Sequence, residues 1–207
     1  MHEVYSQSYC TIAASASSDS SQGLFRNRAT HFLYPSEIDI PWFHGTKKFQ
    51  LLHRDLWDTQ VLHQPLHRRG WVLQERLLAP RVLHFSSQQL VWECRKLVAA
   101  EKYPKGLPPF LSRSANALFK NMDPHEYGAY FRELGDEDRD PKTFVYDLWE
   151  EIVRVYSSSL LTFSDDKLVA LSGIAKQLQD KLNDRYIAGL WMNFLPSQLL
   201  WQVLDCR

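Results

Sequence analysis

Ionisable and aromatic side chains crowd the stretch from Arg69 to Glu93, which holds Arg69, Trp71, Gln74, Glu75, Arg76, Arg81, Trp92 and Glu93. Glu75 is the residue there that most needs a chemical explanation. Leu73 and Leu77 recur at helical spacing with Val72 and Leu78 beside them, so Gln74 and Glu75 sit in an otherwise apolar helix next to Trp71. A carboxylate among apolar and cationic groups is either paired or carries an altered pKa. One reading buries Glu75 against an arginine such as Arg81, makes Trp71 and Trp92 core anchors, and leaves Glu93 as a charge on a strand surface. The other makes Arg69, Trp71, Gln74, Glu75, Arg81, Trp92 and Glu93 a ligand-binding set with Glu75 as its catalytic carboxylate. Asp19 is a further candidate, because it lies in a Ser-, Ala- and Asp-rich loop after an expected strand, where open α/β sheets place ligands. The plain alternative for that loop is a surface connection.

Other chemical patterns are weaker. His63 and His67 have the i, i+4 spacing of metal ligands, but Pro65 stands between them and no glutamate is adjacent, so both are expected to be structural or surface histidines. Ser164-Asp-Asp-Lys167 fits the S-x-x-K pattern of acylating enzymes, yet the same residues serve as a helix cap and dipole partners. There is no phosphate loop, no G-x-S-x-G elbow and no G-x-G-x-x-G turn.

The elements that position these residues follow from breakers and periodicity. Ala79-Pro80 ends the helix that carries Glu75, since proline lacks an amide hydrogen and restricts the residue before it. Val82 and Phe85, then Leu90 and Trp92, lie in β-prone runs around Ser86–Gln89, which predicts a hairpin with Trp71, Leu73, Leu77, Val82, Phe85 and Trp92 substantially buried. Upstream, His2–Ser8 has the composition of a helix end and Tyr9–Ala14 that of a buried strand. Residues 29–48 are expected to be extended because of Pro35 and Pro41, and Phe49–Leu52 to form one more strand. Residues 96–140 read as an irregular linker or insertion with one short helix near Ser112–Lys120 and a solvated charge run at Asp136–Asp140. Asp140-Pro141 then starts a helix with a wide apolar stripe through Leu148, Trp149, Ile152 and Tyr156. Ser164 is expected to cap a second helix, antiparallel to the first; Tyr186–Phe194 is read as a third helix and Ser197–Leu204 as a fourth short element. The fold class is α+β, with domains 1–95, 96–140 and 141–207.

Composition narrows the function classes. Lys plus Arg and Asp plus Glu are 24 each, so no net field gathers nucleic acid or an anionic membrane over the whole chain. No apolar run reaches the roughly 18 to 20 residues of a bilayer span, and the start lacks the basic flank and apolar core of a leader. A soluble cytoplasmic protein is expected, without nucleic-acid partner or membrane span. Cys10, Cys94 and Cys206 are odd in number and far apart, which suits reduced thiols better than a disulfide framework or a zinc site.

The order Trp71, Leu73-Gln74-Glu75, Leu78 through Arg81 and Trp92-Glu93-Cys94 resembles the heterokaryon-incompatibility (HET) domain of filamentous fungi. Val4-Tyr5-Ser6 through Gly23-Leu24-Phe25 upstream agrees, as do Tyr156-Ser157, Asp166-Lys167-Leu168, Ala170–Ala175 and Tyr186–Trp191 downstream. Such domains begin with a Leu-Ser-Tyr-x-Trp-Gly-like strand and a Trp-Ile-Asp-x-x-Cys-Ile-Asn-Gln-like segment, neither of which is found here. The resemblance therefore implies the later part of a TIR-like α/β HET domain followed by a mainly helical region. It implies an interaction module in non-self recognition and programmed cell death, with proteins of the incompatibility pathway as partners and self-association through the unpaired edge of the Tyr9–Ala14 strand. No cofactor is implied. Distant similarity of HET to TIR domains, some of which cleave NAD, implies the alternative: NAD as substrate, Glu75 as the carboxylate that stabilises charge on ribose, and Trp71 stacked on a base.

Overall fold

The computed structural model describes residues 2–43, 45–108, 111, 120, 122 and 140–200. The chain divides into two compact units, Met1–Asn121 and Met122–Arg207. Helices and strands mix in both, so the fold class is α+β.

The first unit is built on the helix and hairpin that the sequence announces. Helix α2 (Gly70–Leu78) follows an extended Arg69 and stops at Ala79, whose ψ of 131° is the extended backbone that a following proline imposes. Strands β4 (Arg81–Phe85) and β5 (Leu90–Cys94) then pair antiparallel, with Leu83 opposite Trp92. A third strand, β6 (Val98–Ala100), joins β5, and β1 (Thr11–Ala13) lies parallel to β4. The sheet order is β1-β4-β5-β6, so β1 is an edge strand. Helix α1 (His2–Ser6) packs against α2.

Three expectations need correction here. The strand expected over Tyr9–Ala14 is only three residues long and only partly buried: Ala13 joins the core, whereas Ile12 is 61% accessible and Tyr9, before the strand, 82%, since an edge strand has one neighbour. Leu73, Leu77 and Val82 are buried, whereas Trp71, Phe85 and Trp92 are half-buried. Strand side chains alternate, and α2 covers the face that carries Val82, His84, Val91 and Glu93, so Phe85 and Trp92 belong to the other face. Within the stretch 29–52, expected to be extended chain and then a strand, a separate two-stranded hairpin pairs β2 (Ser36–Trp42) with β3 (Gly45–Leu51). A short 3-10 turn at Thr30–Phe32 precedes it. Between this hairpin and α2, a π-helical turn at Asp58–Leu62 and a 3-10 turn at Pro65–Arg68 bring Trp57, Val61 and Leu66 under the sheet.

The second unit opens with α3 (Pro141–Ser157), where the Asp140 side chain accepts the Lys142 amide at 3.1 Å and proline takes the first helical position without losing a bond. Its stripe of Leu148, Trp149, Ile152 and Tyr156 is buried. The next helix starts later than its expected cap: Ser164 opens a 3-10 turn over Ser164–Asp166, and α4 (Val169–Leu182) begins at Val169. It ends at Asn183 in the left-handed conformation. The expected third helix is a small hairpin instead, β7 (Tyr186–Ile187) with β8 (Leu190–Trp191). Ala188 and Gly189 both have positive φ, 49° and 100°, as a tight two-residue hairpin turn demands. Trp149 donates its ring N–H to the Gly189 carbonyl at 3.1 Å and meets Trp191 edge to face, so a long-range contact decides between helix and hairpin here. A four-residue helix, α5 (Leu195–Gln198), follows. The helix expected at Ser112–Lys120 lies outside the described residues apart from its last position, as does the charge run apart from Asp140.

Candidate functional site

Alternation in β4 and β5 places His84 and Glu93 on one face as diagonal neighbours, since His84 pairs with Val91 and Val82 with Glu93. Arg76 of α2 meets them from above. Its guanidinium grips the Glu93 carboxylate in a fork, Nη2 to Oε1 at 2.7 Å and Nε to Oε2 at 2.9 Å. His84 Nε2 lies 3.3 Å from Glu93 Oε2, and Lys120 Nζ lies 3.7 Å from the same oxygen while donating to the Arg76 carbonyl at 2.6 Å. On the far side of His84, Nδ1 contacts the Ser15 hydroxyl at 3.1 Å, and that hydroxyl also approaches His67 Nε2 at 3.5 Å. Trp57 closes the cluster, with its ring 5.1 Å beneath the Arg76 guanidinium and edge-on to His84.

Burial sets the electrostatics. Glu93, His84, Lys120 and Ser15 have no accessible surface and Arg76 keeps 2%. Burial alone would raise the Glu93 pKa, but Arg76 and Lys120 overcome it and hold the carboxyl well below its usual range. Burial pushes His84 down against the opposing pull of Glu93, and pushes His67 well down with the help of His84 and the two cations. Lys120 falls to about 8, again through burial working against the attraction of Glu93. The cluster therefore rests as one carboxylate, two cations and two neutral imidazoles.

Ser15, His84 and Glu93 stand in the order of a nucleophile, a base and an orienting acid. Two observations argue against that chemistry. The Ser15 hydroxyl is sealed from solvent, and the Glu93 charge is already taken by Arg76 and Lys120 rather than left to stabilise an imidazolium. The arrangement suits a polar keystone that locks α2, β1, β4 and β5 in one register.

The residues singled out by sequence do not converge. Glu75 is one step from Arg76 on α2, hence about 100° round the helix, and faces α1. It is half-buried and accepts a hydrogen bond from the Tyr5 hydroxyl, not the expected arginine pair; burial first, and this carboxylate second, push the Tyr5 phenol up to about 12. Arg81 instead donates to the Tyr9 carbonyl at 3.1 Å and stacks over the Tyr9 ring. Glu93, expected on a strand surface in the plain reading, is the fully buried hub. Arg69 is the exposed residue that precedes α2, Trp71 is half-buried and Gln74 buried on that helix, and Trp92 is half-buried on the opposite face of β5 from Glu93. Asp19 is exposed and organises its own loop: it accepts the Ser21 amide at 2.9 Å and the Ser18 hydroxyl at 3.1 Å, and these bonds, those from Ser21 foremost, lower its pKa. Arg26 ties the same loop down through the Ala16 carbonyl and Ser17. His63 is exposed, and among the described residues no group of three or more His, Cys, Asp or Glu is placed to hold a metal ion.

Ser15, Arg76, His84 and Lys120 are not among the site residues the sequence singles out, and the arginine expected beside Glu75 was one such as Arg81. One signal was present: Val82-x-His84 and Val91-x-Glu93 share a period of two, and a histidine and a glutamate in the same phase as two valines are paired candidates for the inner face. Lys120 carried no such signal.

Residues 1–75 of the 207 match the family model described as Heterokaryon incompatibility protein (HET), so this part of the chain is similar to that family. The match takes in α1, β1, the Asp19 loop, the β2–β3 hairpin and α2 as far as Glu75. Neither the curated proteins nor the solved structures yield a significant match.

Proposed function

We propose that the chain is a cytoplasmic signalling module of fungal heterokaryon incompatibility, which acts in non-self recognition and programmed cell death through contacts with other proteins of that pathway. The match of residues 1–75 to the HET family carries this reading. Site geometry supports it: Arg76, His84, Glu93 and Lys120 are buried and charge-compensated, and the Glu75 carboxylate, which would have to face ribose in an NAD-cleaving relative of TIR domains, is occupied by Tyr5. The domain division 1–95, 96–140 and 141–207 assigns the HET part to the first segment and a helical extension to the last. The exposed edge strand β1 leaves room for self-association.

Inducible expression of the full chain in a filamentous fungus tests the proposal. Growth arrest and death of expressing hyphae, retained by Glu75→Gln, is the expected result. Normal growth at an expression level where the folded chain is detected would overturn it.

A further inference from the structure

Three turns of the first unit meet at the foot of the β2–β3 hairpin, where Ser36 pairs with Leu51. They are the 3-10 turn at Thr30–Phe32, the π-helical turn at Asp58–Leu62 and the connection between β4 and β5. Among them lies an open cleft of about 330 Å³, large enough for a small organic molecule. Its apolar lining is Phe32, Leu51, Leu52 and Leu56, and the His31 and Phe32 ring centroids lie 4.1 Å apart. Its polar lining includes Gln60, Gln88, Gln89 and Lys102.

The backbone fixes how the three glutamines present themselves. Gln60 Oε1 accepts the Gln88 backbone N–H at 3.3 Å, Gln60 Nε2 donates to Gln88 Oε1 at 2.6 Å, and Gln89 Oε1 accepts the Lys102 backbone N–H at 3.3 Å. A backbone N–H can only donate, so these bonds decide which end of each side-chain amide is the oxygen. All three oxygens are engaged, whereas the Nε2 hydrogens of Gln88 and Gln89 meet no acceptor among the described residues. Gln89 is only 3% exposed, and a buried amide donor is costly to leave unmade. The cleft therefore offers donors to whatever enters it. Among its described lining residues there is no Asp or Glu, and Lys102 is the one lysine or arginine. Glu101, next to Lys102, is held elsewhere, by the Leu90 amide at 2.7 Å and by Arg28. A complementary ligand carries acceptors and one negative charge on an apolar body. A phosphate monoester brings close to two charges at neutral pH, whereas a carboxylate brings one and has two oxygens for two amide donors.

We propose that this cleft binds a small carboxylate with an apolar body, whose head takes the unspent Nε2 hydrogens of Gln88 and Gln89 and whose body lies against Phe32, Leu51, Leu52 and Leu56. Lys102 supplies the countercharge. The site is independent of the sealed cluster around Glu93 and of the Glu75–Tyr5 contact, since none of those residues lines it.

Titration of the isotope-labelled full chain with phenylacetate, followed by NMR through the side-chain amide resonances of Gln88 and Gln89, tests this, with phenylacetamide as the neutral isostere. Phenylacetate is expected to shift those resonances saturably, with a dissociation constant of about 1 mM or below. Phenylacetamide should bind about tenfold more weakly. Gln88→Glu keeps the oxygen that Gln60 bonds but sets an anion in place of the unspent donor; read at Gln89, it should weaken phenylacetate by about tenfold or more. Lys102→Met should weaken it by about threefold. Gln88 and Lys102 are both half-buried, so unchanged melting verifies each fold. Absence of a saturable shift at Gln88 and Gln89 would overturn the proposal. Equal affinity for the acid and the amide would also overturn it, as would affinity indifferent to Gln88→Glu.

Discussion

Arg76 and Glu75 are neighbours on one helix turn, yet their energetic roles are opposite. Glu93→Gln leaves Arg76 and Lys120 as buried cations without a countercharge, so chemical denaturation should show a loss of about 3–5 kcal/mol. Glu75→Gln keeps an oxygen for the Tyr5 hydroxyl and should change stability by about 1 kcal/mol or less. Acid should act through the same cluster. Burial first depresses the pKa of His67 and of His84 below the 6.5 of the unfolded chain, with Ser15, Arg76, Lys120, Glu93 and Trp57 around them. The unfolded state therefore takes up protons first, and stability present above pH 6.5 is lost as pH falls below it. Melting temperature should drop between pH 7.5 and 5.5, and His67→Gln should flatten the drop; a flat wild-type profile would contradict the assignment. None of this could be read from Glu75 in isolation. The sequence placed a carboxylate in an apolar helix, but which carboxylate meets which cation depends on helix phase and strand phase together.

Secondary structure was legible where local chemistry is decisive and misread where a distant partner decides. Ala79-Pro80 and Asp140-Pro141 set helix boundaries without outside help, and α2, β4, β5 and α3 follow from them. Tyr186–Phe194 has helical spacing, but the Gly189 carbonyl is claimed by Trp149 from another element. Gly189 at φ 100° tolerates a side chain poorly, and a Cβ there would meet Leu168 at 3.4 Å. Gly189→Ala should therefore destabilise the second unit by about 1–2 kcal/mol, while Ala188→Gly, at φ 49°, should be neutral or slightly stabilising. Equal and negligible effects in thermal melts would show that the turn is not what holds this hairpin. Of the β2–β3 hairpin the sequence shows a strand only at Phe49–Leu52 and extended chain before it, because Pro41 inside a run argues against a strand unless that strand is an edge, as β2 is.

At the scale of the molecule, balanced charge gives no global field, no helix among the described residues is long and apolar enough to cross a membrane, and the motif order resembles HET, whose family model matches residues 1–75. That match ends at Glu75, so the sealed cluster around Glu93 lies across the boundary of the recognised region. Under the proposed function, this chain acts by assembling with partners and its conspicuous glutamates serve the fold. Incubating purified wild-type chain and Glu75→Gln with NAD, and following nicotinamide release, separates this role from NAD cleavage. No release above a buffer control is expected from either protein; release by the wild type that Glu75→Gln abolishes, with its melting unchanged, would make the chain an enzyme instead.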